Sequence, residues 1–162
     1  MKLLIISHPC ATPVNQQFYA EVEQLTGWEL SIVTPSNWKN EYGKVLHPER
    51  WQDYQGRLIS IPVWNTGNIP LHLYQSPFIP LLQELQPDVI YVHHEPYALA
   101  TAQVYFANHF SIQRPIGFYS AQNIFKPYPF PFRQIEQRIF QESAFAFPVS
   151  HSVEEVLSKK GF

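Results

Sequence analysis

The feature that most narrows the fold is a series of short, unbroken apolar runs alternating with stretches of helical period. Lys2 to Ser7 holds two Ile and two Leu in a row, is too short for a helix, and is ended by His8-Pro9. A run of this kind reads as a strand buried on both faces, the habit of parallel sheets. Val14, Phe18, Val22 and Leu25 then recur at helical spacing, which predicts a helix with that face inward, closing at Gly27. Trp28 to Thr34 predicts a second strand and completes a βαβ unit.

From Pro35 to Gly56 the periodicity is lost in a polar stretch bearing Asn37, Trp38, Tyr42, His47, Trp51 and Tyr54. A loop of this length in a small domain is unusual, so it is expected to be a functional or docking loop with one short helix. Arg57 to Trp64 predicts a third strand, in which Pro62 points to an edge or a bulge. Asn65 to Tyr74, with Gly67 and Pro70, reads as a loop. Ser76 to Leu85 predicts a helix with Pro77 in its first turn and Phe78, Leu81, Leu82 and Leu85 on one face.

Asp88 to His93 is the next buried strand, ended by Glu95-Pro96 before a helix on which Leu99, Ala102, Phe106 and Phe110 share a face. Pro115 to Ser120 predicts a fifth strand. Phe125 to Phe132 alternates aromatic residues with Pro or Lys and can only be an extended connection. A helix with Phe132, Ile135 and Ile139 inward, a strand over Ala144 to Val149, and a helix with Val153, Val156 and Leu157 inward complete the order; Ser152 to Glu155 has capping-box spacing. The alternation selects an α/β fold: one Rossmann-like parallel sheet with helices on both faces, over residues 1–162 as a single domain.

Composition excludes several functions. The formal net charge of −2 with 15% charged residues makes no electrostatic case for nucleic acid. The six Gly stand apart, which excludes a dinucleotide fingerprint or a Walker loop. No Gly-x-Ser-x-Gly elbow is present. Cys10 stands alone, so no internal disulfide forms, and the opening MKLLIISHP lacks the apolar length and cleavage site of a signal peptide; a cytoplasmic protein is expected. No apolar run approaches the roughly eighteen residues of a membrane span, so membrane contact, at the inner face, would be peripheral, through the aromatic loop from Trp38 to Trp51.

In open parallel sheets ligands bind beyond the carboxyl ends of the strands. Those ends are polar here: His8, Pro9, Cys10 and Thr12 after the first strand, His93, His94 and Glu95 after the fourth, Ser120, Gln122 and Asn123 after the fifth, Ser150 and His151 after the sixth. Such groups suit a hydroxyl-rich or phosphorylated ligand. Several also have plain structural roles: Ser150 and Ser152 as helix caps, Glu95 capping the helix near Tyr97, Gln122 and Asn123 satisfying a turn. His93 and His94 alternate faces, so at most one is expected to enter the crevice. Cys10 has no CxxC or cationic neighbour and reads as inert. A metal set from His8, His93 or His94 and His151 lacks the HExxH spacing, and no metal is expected.

Three blocks carry a resemblance. Asp88-Val89-Ile90-Tyr91-Val92-His93-His94-Glu95-Pro96-Tyr97-Ala98-Leu99-Ala100, then Ser120-Ala121-Gln122-Asn123-Ile124 followed by Lys126, Tyr128 to Phe132 and Ile135-Glu136, then Pro148-Val149-Ser150 with Glu154, Val156-Leu157 and Lys160-Gly161-Phe162, resemble the amino-terminal domain of family 4 glycosyltransferases. The resemblance implies a GT-B arrangement of two Rossmann-like halves, in which this chain is the acceptor-side half. Members of the family carry a Glu-x7-Glu motif and the nucleotide pocket in the donor-binding half, which is not contained in this sequence. Many members have a glycine-rich loop after the first strand and a His after the fifth; here His8-Pro9-Cys10 and Gln122-Asn123 stand instead.

The expected partner is therefore a sugar or glycolipid acceptor, with a nucleotide-sugar donor held by the missing half, in cis or as a separate subunit. No other cofactor is expected. His8, Pro9, His94, Glu95, Tyr97, Gln122, Asn123 and Lys126 are the candidate cleft residues: His94 and Glu95 to orient the acceptor hydroxyl, Gln122 and Asn123 to contact acceptor or transferred sugar, His8 beside the donor phosphates. The alternative is a non-catalytic carbohydrate-binding or partner-interaction module of the same fold.

Overall fold

The computed structural model describes residues 1–162. The first strand, β1 (Lys2–Ile6), is followed by two 3-10 turns, Pro9–Ala11 and Pro13–Gln16, each opened by a proline whose missing N–H is no loss there. Helix α1 (Gln17–Thr26) closes on Gly27, whose φ of 67° supplies the left-handed cap. After β2 (Glu29–Pro35) the long polar stretch contains no helix; instead β3 (Trp38–Lys39) and β4 (Val45–Leu46) pair as a small antiparallel hairpin. Strand β5 (Arg57–Ile61) stops at Pro62, and the chain resumes as β6 (Val63–Trp64), which pairs antiparallel with β7 (Leu73–Tyr74).

Helix α2 (Phe78–Leu85) has Pro77 at its N-cap, with Phe78, Leu82 and Leu85 buried. Then come β8 (Val89–Val92), α3 (Leu99–His109), β9 (Ile116–Ser120), the extended aromatic segment, α4 (Phe132–Glu142), β10 (Phe145–Pro148) and α5 (His151–Lys160). The α5 cap is Ser150, which accepts from the Val153 N–H at 3.4 Å, so the Ser152 spacing does not set the helix start. No helix is long and apolar enough to cross a membrane.

The six main strands are all parallel and run in the order β10-β9-β8-β1-β2-β5. This is the Rossmann order, and it reverses direction at β1, which places the switch point between β1 and β8. Side-chain alternation sends Leu4 and Ile6 into the larger core with α2, α3, α4 and α5, while Ile5 enters a smaller cluster with Tyr19 and Ala20 of α1. Helices thus occupy both faces, but unevenly.

That unevenness corrects two expected helix faces. On α1 the buried residues are Tyr19 and Ala20, while Phe18 and Leu25 are exposed, as is Val14 in the turn before the helix. Phe18 and Val22 flank an open apolar groove of about 760 Å³ that continues over Tyr91, Tyr119 and Phe147 of the sheet. On α3 the buried side is Ala100, Thr101, Val104, Tyr105, Ala107 and Asn108, and Phe106 and Phe110 pair with each other outside, ring centroids 4.6 Å apart. The side of α3 bearing Ala100, Val104, Tyr105 and Ala107 faces the larger core, and its two Phe lie outside it.

Gly117 shows how tight the β9–β10 contact is: a Cβ there would run into the Phe145 ring and carbonyl oxygen. Gly117→Ala is expected to lower stability by about 1–3 kcal/mol, read as a lower urea midpoint with an unchanged slope. A midpoint equal to wild type would show that the strand pair has slack.

Candidate functional site

Beyond the carboxyl end of β1 the chain turns at once, because Pro9 begins a 3-10 turn and leaves His8 at its N-cap. Pro9 itself serves the turn: its carbonyl accepts from the Thr12 N–H and from Asn15 Nδ2 at 2.8 Å. His8 is half-buried, and its Nδ1 lies 2.7 Å from Nδ1 of His94, which follows β8 and is buried. Direct contact with a ligand at this edge therefore falls to His8, with His94 behind it.

A third imidazole joins them that sequence reasoning passed over. His72, between Leu71 and Leu73 just before β7, is fully buried with its ring centroid 5.0 Å from that of His94 and 5.6 Å from that of His8. Trp38 of the small hairpin closes over them, 4.5 Å from the His8 ring and 5.0 Å from His72, and Tyr74 Oη lies 3.4 Å from His94 Nε2. Thus the aromatic loop after β2 folds back onto the site edge. The signal available in sequence was a lone His amid apolar neighbours in a loop, which by itself points nowhere.

His93 takes the opposite face, as strand alternation requires. Its Nδ1 lies 3.0 Å from Tyr19 Oη and 3.2 Å from Ser7 Oγ, and its ring meets Tyr119 at 4.4 Å. His151 is exposed at the start of α5 beside Glu154 and Glu155, away from the other imidazoles. Cys10 is buried with its thiol pushed up to about 12 by burial, which agrees with an inert role.

Glu95 does not cap a helix. Its carboxylate accepts from the Ser120 hydroxyl at 2.9 Å and the Ala121 N–H at 2.7 Å, so it ties the end of β8 to the end of β9. Burial pushes its carboxyl above the usual range, opposed by those two hydrogen bonds. The Tyr97 ring lies 4.3 Å from that of Tyr128 of the aromatic segment, tilted by 36°, and Lys160 Nζ sits 4.3 Å over the Tyr128 ring while pairing with Glu136 at 2.7 Å. Gln122 closes its own turn, Nε2 donating to the Ile124 carbonyl at 2.8 Å. Asn123 and Lys126 are exposed on the loop that follows. Of the candidate residues, then, His8 and His94 form one cluster, Glu95 and Tyr97 belong to a second anchored on β9, and Gln122, Asn123 and Lys126 line an exposed rim.

The whole of this chain superposes on 42% of a Listeria monocytogenes protein provisionally assigned as a UDP-N-acetylglucosamine 2-epimerase, with a TM-score of 0.59 at 15% identity. The fold is that of one Rossmann-like half of a GT-B protein. A second similarity, to Acinetobacter baumannii MurG, covers 91% of this chain and 40% of that one at 7% identity and a TM-score of 0.48, too slight to argue from. The chain thus spans less than half the length of either protein. No family model matches the sequence, and no curated protein matches it.

The buried imidazoles make the fold acid-sensitive. Burial lowers the proton affinity of His8, His72 and His94, and brings His93 down to about 4. Below the ordinary value of about 6.5 the unfolded chain binds protons that the folded chain refuses, so the stability these groups contribute is complete above 6.5 and is lost as pH falls. Glu95 and Glu136, raised by burial, act in the opposite sense over part of that window, but they are two against four. Unfolding free energy measured from pH 7 to 4.5 should fall with a slope greater than the ~1.4 kcal/mol per pH unit of a single proton. A flat profile would show the imidazoles to be reachable by water.

The Lys160–Glu136 pair is also buried, both side chains 7% exposed. Removing only the cation strands a carboxylate among apolar and aromatic groups. Lys160→Met should cost about 3–5 kcal/mol, and adding Glu136→Leu should recover most of it, as read by thermal unfolding.

Proposed function

We propose that this chain is the acceptor-side half of a nucleotide-sugar-dependent glycosyltransferase of the GT-B type, binding a sugar or glycolipid acceptor and inactive without a donor-binding half. The observation that carries the reading is the gathering of His8, Glu95 and the Ser120–Asn123 turn at the carboxyl ends of the neighbouring strands β1, β8 and β9, beside the switch point. The GT-B likeness and the three blocks that resemble family 4 glycosyltransferases support it, and the chain's coverage of 42% of its structural neighbour accords with one half of such a protein.

In this reading the Tyr97–Tyr128 pair offers a sugar ring an aromatic face, and Asn123 and Lys126 meet hydroxyls at the rim. Glu95 keeps lone pairs beyond those used by Ser120 and Ala121, and accepts from the acceptor hydroxyl, holding its oxygen toward the facing half. His94 orients His8, whose exposed side lies beside the donor phosphates. The β1 turn offers few N–H groups of its own, because Pro9 and Pro13 lack them, so the phosphates are held mainly by the second half. That half is a further domain of the same protein or a partner subunit, and closure between the two excludes water from the transfer.

The test is titration of the isotope-labelled chain with a panel of oligosaccharides, followed by NMR. Weak glycan binding that shifts the amides of Tyr97, Asn123 and Lys126, without turnover of any nucleotide sugar, is the expected result; Glu95→Gln should weaken it about tenfold, the loss of one charged hydrogen bond. Transfer catalysed by the chain alone would overturn the reading. Tight glycan binding, unaffected by an added donor half, would favour a carbohydrate-binding module of the same fold.

A further inference from the structure

The geometry points to a metal site that the sequence analysis did not expect: His8, His72 and His94 form a three-imidazole site for a divalent cation of the zinc class at the carboxyl end of β1. One ring nitrogen from each lies within 4.8 Å of the others. The inference rests on these rings and not on the sugar-transfer reading.

His72 is the informative member. Its Nδ1 lies 2.9 Å from the Ile69 carbonyl and 3.2 Å from that of Asn68; carbonyls only accept, so the ring hydrogen is on Nδ1. Nε2 is therefore an unprotonated nitrogen with a lone pair. It is buried and has no hydrogen-bond partner. An acceptor left bare in the interior costs about 1–3 kcal/mol, and a ligand that uses the lone pair removes that cost. A backbone carbonyl on the far nitrogen is also the arrangement that holds a ligating imidazole in tautomer and orientation.

His8 and His94 supply the other two nitrogens. Their rings are nearly parallel, 8° apart, with Nδ1 facing Nδ1 at 2.7 Å and one hydrogen between them. Bonds of about 2.05 Å to a tetrahedral ion put ligand nitrogens about 3.3 Å apart, so an ion in place of that hydrogen requires the two rings to part by about 0.6 Å and to turn until both lone pairs meet the ion. The hydrogen moves to Nε2 of its own ring, where, for His94, Tyr74 Oη stands 3.4 Å away to accept it. No proton is released and each ring stays neutral, the form in which burial already holds all three. Three imidazoles without a carboxylate or thiolate select Zn2+, Ni2+ or Cu2+ over Mg2+ or Ca2+. His8 is the one ring of the three with solvent access, so the fourth coordination position opens toward the ligand edge and takes water or a ligand oxygen.

The test uses the full chain, stripped with a chelator and titrated with ZnCl2 by calorimetry. One equivalent is expected to bind, Mg2+ is expected not to bind, and saturating zinc should raise Tm by several degrees. His72→Phe keeps a ring in the space but offers no lone pair, and should abolish both effects; His151→Ala should preserve both. If His72→Phe does not fold, imidazole 15N spectra of the wild-type chain decide: zinc should shift His72 Nε2 and Nδ1 of His8 and His94 and leave His47, His109 and His151 in place. Absence of stoichiometric uptake, uptake undiminished in His72→Phe, or shifts confined to His151 and its neighbouring carboxylates would each overturn the assignment.

Discussion

Hydrogen bonding of β1 to parallel partners on both sides is the constraint on which the ligand edge depends. Leu3 to Ile6 register against Leu30 to Val33 on one side and Val89 to Val92 on the other. The two flanking strands are reached by crossovers that leave in opposite directions, which opens a gap above β1 that the side chains at its end and Trp38 of the β3–β4 hairpin close. Ser7 N–H donates to the Val33 carbonyl and His93 N–H to the Ile6 carbonyl, which carries the ladder one step past the strands before the chains diverge. His8 and His94 stand just beyond those last bonds. Their mutual placement thus follows from backbone register, with little freedom left to the side chains.

Two neighbouring parts of this edge are made differently. Beyond β1, imidazoles are packed under Trp38 and Tyr74 without an acidic group among them, and burial keeps them uncharged. On the side of β9 and α4, charges are retained but paired: Glu136 with Lys160, and Glu95 with hydrogen-bond donors at the end of β9. Lys160 also lies over Tyr128, so the last helix fixes the aromatic segment as well as the carboxylate. A neutral, lone-pair-bearing pocket thus adjoins a charged, hydrogen-bonded one.

The six strands of the main sheet and their sequence along the chain were legible because buried parallel strands announce themselves as unbroken apolar runs, and β1 and β8 are unambiguous in that respect. Helix existence was legible too, from caps such as Gly27. Helix orientation was less so. Periodicity names an apolar face, but Phe18 and Phe106 are exposed, and the inward sides are those of Tyr19 and Ala20 on α1 and of Ala100, Thr101, Val104 and Tyr105 on α3. Within the site, His8, His94 and Glu95 were readable from their position after strands. His72 was not, because its place depends on the β6–β7 pairing, a two-residue antiparallel contact with no periodic signature. The β3–β4 hairpin that brings Trp38 over the cluster was hidden for the same reason.

The two prolines at the sheet margins bear on how copies of this chain meet one another. Ile61 directs its carbonyl inward to the Ser36 N–H, so Pro62, next along, faces outward, and its own carbonyl is already taken by the Gln75 N–H. On the opposite margin Val149 donates inward to the Ser120 carbonyl, which turns Pro148 outward. Each edge strand therefore presents, at its carboxyl end, a position where an incoming strand finds no N–H to pair with. A parallel sheet is open at both edges and invites edge-to-edge polymerisation. Here that growth is interrupted by backbone chemistry at both margins, while the apolar groove on the α1 side stays open.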